Sequence, residues 1–264
     1  LLEKQMATTV SACEALIAAS ARSGAILGVN PNLIYHPIFE RLAAALRSAK
    51  LGPPSFISSV YRAPLRQLAA GQFGHWMFEQ PVNMLLEQAV HPLSQLAALA
   101  GPIRAVRAVA GRPIEIGSGR PFYATLDAIL TGRDLSCQLH FAVGQSFPFW
   151  QVTVACTDGV IVADMIANRL TSHARTRWPE PFDQALSGTR TAAQLVRESW
   201  GNTFGYLRSV TGLGPRSDPF FRGMAGSISA FHQSLDTGSK PQADGCFARG
   251  LVEACHRLAN EGQA

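Results

Sequence analysis

Residues 149–165, FWQVTVACTDGVIVADM, carry two alternating runs on either side of Asp158-Gly159, and this stretch limits the fold most sharply. A strand turns successive side chains to opposite faces, and Asp-Gly between two such runs is a strong signal for an antiparallel hairpin. Trp150, Val152, Val154 and Cys156 then face one way, with Gln151, Thr153 and Ala155 opposite. The same strand texture recurs in SFISSVYR (55–62) and RAVRAVAG (104–111). YATLDAILTGRDLSCQLHFAV (123–143) reads as two more strands joined by the turn residues Thr131-Gly132-Arg133-Asp134.

The flanks read differently. Ser11 and Glu14 stand in capping-box spacing before Ala15, Leu16, Ala18 and Ala19, and Gly24 is the stop signal of that helix. AILGVN (25–30) is a short apolar run of the kind buried in a parallel sheet. Pro37 to Lys50 form an amphipathic helix with Ile38, Leu42 and Leu46 on its apolar stripe, ended by Gly52-Pro53-Pro54. Helices return from about Gln184, the last spanning Cys246 to Asn260. The expected fold class is α/β (α+β): a scrap of parallel α/β, then a large, mainly antiparallel open sheet with helices on one side.

Composition removes several functions. The chain is 47% hydrophobic and 16% charged over 264 residues, enough to bury a substantial core. No apolar run reaches the roughly 18–20 residues of a membrane-spanning helix, and no basic, apolar and small-residue order marks a secretory leader. Cys13, Cys137, Cys156, Cys246 and Cys255 are widely spaced with no C-x-x-C pair, and read as reduced thiols of a cytoplasmic protein. The net charge of +5 is carried mainly by scattered arginines, with lysine only at Lys4, Lys50 and Lys240. A nucleic-acid surface needs a basic patch or run instead. No histidine or acidic cluster has metal-ligand spacing, so no metal is expected.

In MLLEQAVHPLSQL (84–96), Glu87 and His91 share one helical face one turn apart. Pro92 directly behind the histidine disfavours helical geometry there and removes a donor, so the helix should start or kink at that point. A kink frees a carbonyl near Gln88 and swings the histidine toward a cleft. On the residues alone, a local pair that supports the fold is the commoner meaning. Lys4 alone reads as a solvated terminal lysine.

Taken together these stretches resemble the Gfo/Idh/MocA oxidoreductases. Glu3 and Lys4 match the family's Glu-Lys-Pro run, with Gln5 in place of proline, and Asn30, Tyr35, His36 and Pro37 match its following strand and aromatic-His-Pro. LLEQAVHPLSQLAALAGP resembles the family's Asp-x-Gly-x-His helix, with Glu87, Ala89 and His91 at the three positions. The tail FHQSLDTGSKPQADGCFARGLVEACHRLA is similar to its closing strand-turn-helix region. The resemblance implies an incomplete dinucleotide-binding (Rossmann-like) unit over residues 1–30. It implies a C-terminal α/β domain for substrate and oligomerisation over 31–264.

It also implies the chemistry: hydride transfer between NAD or NADP and a sugar, cyclitol or related polyol. Lys4, Glu87 and His91 are the catalytic candidates, with His91 as general base, Lys4 polarising the reacting hydroxyl and Glu87 orienting the histidine or touching substrate. Glu3, Lys4 and Asn30 would face the cofactor. His75 and Trp76, in the loop before this helix, and Tyr123 are candidate substrate contacts, and His140, Arg169 and His173 could reach the same cleft from the sheet. The partners implied are a small-molecule sugar or polyol and further copies of the chain across the sheet face, with no nucleic acid and no membrane.

One departure is large. The family's phosphate cradle is an early G-x-G-x-x-G between strand and helix, and Gly117-Ser118-Gly119 and Gly212-Leu213-Gly214 both run toward proline instead. LLEKQM at the start reads as the continuation of something, so the chain is expected to be part of a longer enzyme or a cofactor-less descendant. Weak or absent binding of nicotinamide cofactor by the chain as given follows. Two other functions stand beside the dehydrogenase: a glycoside-processing enzyme that uses NAD transiently, and a non-catalytic binding or assembly protein.

Overall fold

The computed structural model describes residues 1–116, 119–133 and 135–262. The turn residue Asp134 and the glycine-loop candidates Gly117 and Ser118 lie outside the described residues.

The chain begins with a small parallel unit. Strand β1 (Leu2–Glu3) pairs with β2 (Val29–Asn30), and helix α1 (Val10–Ser23) crosses between them. The cap differs from the expected capping box. Thr9, not Ser11, is the N-cap: its backbone is extended and its Oγ1 accepts the Ala12 N–H at 3.2 Å. Threonine and serine are near-equal caps, so the spacing to Glu14 misled by two residues. Gly24 does end the helix, with φ +69°. The parallel unit is tied to the rest of the molecule through Val29, whose N–H donates to Ala243 O at 2.9 Å.

A short 3₁₀ turn (Asn32–Tyr35) leads into α2 (Pro37–Arg47), whose Ile38, Phe39 and Leu42 are buried. Strand β3 (Pro54–Ala63) follows, then the short α3 (Arg66–Ala69) and a 3₁₀ turn (Trp76–Phe78). Next come α4 (Pro81–Met84), a π-helical turn (Leu85–Ala89) and α5 (Val90–Ala100), which run on without interruption. The sheet is then completed by β4 (Ala105–Ala110), β7 (Thr125–Thr131), β8 (Ser136–Val143), β9 (Phe149–Cys156), β10 (Gly159–Asp164) and β11 (Arg169–Ala174). A separate ribbon is formed by β5 (Ile114–Ile116) and β6 (Arg120–Phe122). Three helices close the chain: α6 (Glu180–Val210), α7 (Pro219–Thr237) and α8 (Gly245–Gly262).

The seven strands are ordered β11-β10-β9-β3-β8-β7-β4, and β3 beside β8 is the one parallel pair among them. The expected mainly antiparallel open sheet is present. Its inner face buries Ile57, Leu139, Val152 and Val154 completely, against α5, whose Leu93 and Leu96 are equally inaccessible. The hairpin turn falls one residue earlier than expected, on Thr157-Asp158, because Gly159 already pairs with Cys156. Glycine is needed there for close approach: a Cβ would collide with the His173 carbonyl of β11.

The outer face is mixed rather than uniformly apolar. Val109 and Ile129 are 73% and 61% exposed next to Arg107, Asp127 and His140. No described helix is long and apolar enough to cross a membrane.

Candidate active site

The site starts from a backbone irregularity. In the π-helical turn Leu85–Ala89 the Val90 N–H reaches back five residues to Leu85 O. In that five-residue register the partner for Glu87 O is residue 92, a proline with no N–H to give. The freed oxygen is taken by Lys4, whose Nζ donates to Glu87 O at 2.6 Å and to Glu87 Oε1 at 3.1 Å. The sequence led us to expect a helix start or kink and a free carbonyl near Gln88. The helical run instead continues through a widened turn, and the carbonyl that is used belongs to Glu87. Gln5, which stands where the resemblance has proline, lies at the same junction, and its amide turned with the nitrogen inward would donate to Lys4 O and Leu86 O.

Lys4 and Glu87 are both partly exposed, with side chains 18% and 26% accessible. An ammonium has three donors, and two of those of Lys4 are engaged, which leaves one for a ligand. His91 lies one turn on from Glu87, its ring tilted against Trp150 at 6.5 Å between centroids. Burial pushes the His91 pKa down to about 3, and the positive charge of Lys4 pushes the same way. Its imidazole therefore stands neutral across the physiological range.

Three neighbours went unrecognised in the sequence. Tyr61 on β3 donates from Oη to Gln88 Oε1 at 2.9 Å, stacks on Phe141 and meets Trp150 edge-on at 4.8 Å. Burial, with Glu87 adding to it, pushes this phenol up to about 12. Trp150 Nε1 is buried with no hydrogen-bond partner. Tyr61 and Trp150 lie at alternating inward positions of their strands, so only the burial pattern marked them. Gln88 sits in the π-helical turn itself. Behind this layer Cys255 is wholly buried, its Sγ 3.5 Å from Leu85 O and its thiol pushed up by burial.

Of the cofactor candidates, Asn30 is 3% exposed and its Nδ2 donates to Glu3 Oε1 at 3.1 Å and to Met224 Sδ at 2.7 Å. Its Oδ1 is buried without a partner. His36 caps α2, with Nδ1 accepting the Ile38 N–H at 3.3 Å. Burial, reinforced by Arg222, pushes its pKa down to about 4.

The other candidates are engaged elsewhere. His75 caps the 3₁₀ turn through Nδ1 to the Met77 N–H at 3.3 Å, and the Trp76 carbonyl accepts from Asn83 at 2.8 Å. Tyr123 lines a small crevice with Pro81, Met84 and Leu258. His140 pairs with Asp127 at 2.7 Å on the outer sheet face, Arg169 with Asp164 at 3.1 Å, and His173 with Thr191 of α6 at 3.1 Å. His140, Arg169 and His173 lie on the sheet face opposite Ile57 and Leu139, because successive side chains of a strand alternate. Among the described residues, no group of three or more His, Cys, Asp or Glu side chains could hold a metal ion.

A βαβ start followed by an open, mainly antiparallel sheet is a fold that this chain shares with solved oxidoreductases. Solved structures similar to this chain include Gfo/Idh/MocA-type NAD-binding oxidoreductases. UDP-N-acetylglucosamine 3-dehydrogenase GnnA from Acidithiobacillus ferrooxidans aligns at 16% identity and a TM-score of 0.66, over 98% of this chain and 69% of its own. The WlbA dehydrogenase from Bordetella pertussis, solved with NADH and UDP-GlcNAcA, gives 17% and 0.69 over 99% and 69%. A putative myo-inositol dehydrogenase from Sinorhizobium meliloti gives 13% and 0.67 over 99% and 70%. The chain thus spans about 70% of the length of each of these proteins. At such identities the likeness is one of fold. No family model and no curated protein matches the sequence.

Proposed function

We propose that the complete protein is an NAD(P)-dependent oxidoreductase that moves a hydride between the cofactor and a sugar, cyclitol or related polyol. The observation that carries this reading is the Lys4–Glu87 bridge across 83 residues of sequence, directly beside a neutral His91. Lys4 comes from a separate element, 83 residues before the helical run that carries both Glu87 and His91, and such a convergence of ionisable side chains is rarely chance.

In this reading His91 accepts the proton of the reacting hydroxyl. With a pKa near 3 the accepting form is always populated, but the base is weak. Proton transfer is therefore completed only as the hydride leaves and the carbonyl forms. The remaining N–H of Lys4 polarises the substrate oxygen and opposes charge building there. In this reading Glu87 holds the ammonium in place, where the resemblance implied that it orients the histidine or touches substrate. Trp150, itself packed edge-on against Tyr61, keeps water from one side of the imidazole.

The cofactor, when bound, supplies the hydride acceptor. Glu3, Lys4 and Asn30 fit its nicotinamide end, since the unpartnered Asn30 Oδ1 offers an acceptor to a carboxamide. Among the described residues no glycine turn joins a strand to a helix as a phosphate cradle would, and Gly212 and Gly214 lie between the helices α6 and α7. Residues 1–30 are read as the end of a dinucleotide-binding unit, and 31–264 as the substrate and assembly portion. The test is turnover by the complete protein with NAD and NADP, followed by nicotinamide absorbance, against myo-inositol and UDP-N-acetylglucosamine. Reduced cofactor with either polyol is expected. Tight cofactor binding without turnover of either would contradict the proposed substrate class.

A further inference from the structure

Helices α2, α6 and α7 and the β10–β11 turn line an open-mouthed cavity of about 760 Å³ that shares no residue with the Lys4–Glu87–His91 cluster. Four guanidiniums line it, from Arg41, Arg47, Arg197 and Arg222, against the carboxylates of Glu40 and Glu198. The lining is therefore formally +2. Glu198 is 8% exposed and already saturated: both Arg41 nitrogens donate to it, at 2.6 and 2.8 Å, and Arg197 adds a third bond at 3.2 Å. The guanidiniums of Arg47, on α2, and Arg222, on α7, make no hydrogen bond or ion pair among the described residues. Burial raises the Glu40 carboxyl above its ordinary value, and the charges of Arg222 and Arg47 only partly oppose it, so both lie within electrostatic reach.

The far wall is rigid and polar. Asn168 sits at φ +50° in the β10–β11 turn, where its amide donates to Asn202 Oδ1 at 2.9 Å. Asn202 in turn donates to Ala167 O and Asn168 O at 2.9 Å. Asn168 Oδ1 is buried without a donor. We propose that this cavity is a second ligand site, which takes a small phosphorylated sugar or polyol. Guanidinium forks match the geometry of a phosphate, and the volume falls in the range of small-molecule sites. Glu40 and Asn168 Oδ1 are acceptors, which a bare anion would leave unused and hydroxyl groups would satisfy. The binding site is independent of the hydride-transfer reading.

The test is calorimetric titration of the full chain with glucose 6-phosphate, glucose and inorganic phosphate as probes. Glucose 6-phosphate is expected to bind more tightly than phosphate, and glucose not measurably. The Arg47→Ala/Arg222→Ala variant should lose at least about tenfold in affinity, since each charge-assisted bond is worth that much. Both side chains are exposed, so the variant should keep the wild-type circular dichroism and thermal midpoint. Equal affinity in the variant, equal affinity for phosphate and glucose 6-phosphate, or no binding up to roughly 10 mM would each overturn the proposal.

Discussion

His91 and His36 are the two histidines whose surroundings depart most from water, with pKa values pushed down to about 3 and about 4. Unfolding returns each to an ordinary value near 6.5. Their stabilising contribution is therefore complete above that value and is lost as pH falls from it through the folded values, because only the unfolded chain takes up the protons. By NMR, both ring signals should stay fixed from about pH 7 to pH 5 while an exposed histidine moves. Movement of His91 in that window would mean that the ring is solvated. Lys4 supports a second expectation. Lys4→Ala strips the donor from Glu87 O and should cost about 1–3 kcal/mol in denaturant unfolding, with loss of both substrate affinity and turnover in the complete protein. Glu87→Gln keeps an acceptor for the ammonium and should have the smaller effect on turnover. The reverse order would make Glu87, not Lys4, the group that meets the substrate.

At the level of elements, the π-helical turn is the feature on which the site depends. Pro92→Ala restores an N–H at residue 92, so the turn can tighten toward α geometry and compete with Lys4 for the freed carbonyls. Turnover should fall several-fold, with the thermal midpoint unchanged or raised. Unchanged turnover would show that the proline does not shape the site. Pro92 announced a distortion in the sequence, but not its kind, since a kink and a widened turn both answer a missing donor. The strands were legible because alternation is a local signal, and β9, β10, β4 and β3 fall within a residue or so of their expected bounds. Lys4 and Glu87 were linked only through a resemblance, since nothing local relates residues 83 apart. Tyr61 and Trp150 were hidden for the opposite reason: inward aromatic residues on strands look like any other core residues. His75 caps a 3₁₀ turn, Tyr123 lines a crevice and His140 pairs with Asp127 on the far sheet face, contacts that no local sequence signal distinguishes from a substrate role.

For the whole molecule, the outer face of the open sheet leaves Val109 and Ile129, on β4 and β7, uncovered by the described residues. The expected cover is a second copy across that face. A second exposed apolar stripe runs along α6, where Trp200 and Phe204 are 58% and 59% exposed. Light scattering should find an oligomer that Ile129→Lys dissociates and Phe204→Lys does not. A monomer, or the opposite response, would move the interface away from the sheet.

The central claim is that Lys4, Glu87 and His91 form a hydride-transfer site, and the most direct measurement is the turnover of His91→Asn in the complete protein with its polyol and nicotinamide cofactor. Asparagine keeps a polar side chain of similar reach but cannot take the proton. The account predicts a fall of roughly 100-fold to 10,000-fold, concentrated in kcat because the interaction matters most as the proton moves. A variant within about threefold of the wild type, with His91 merely packed against Trp150, would contradict it.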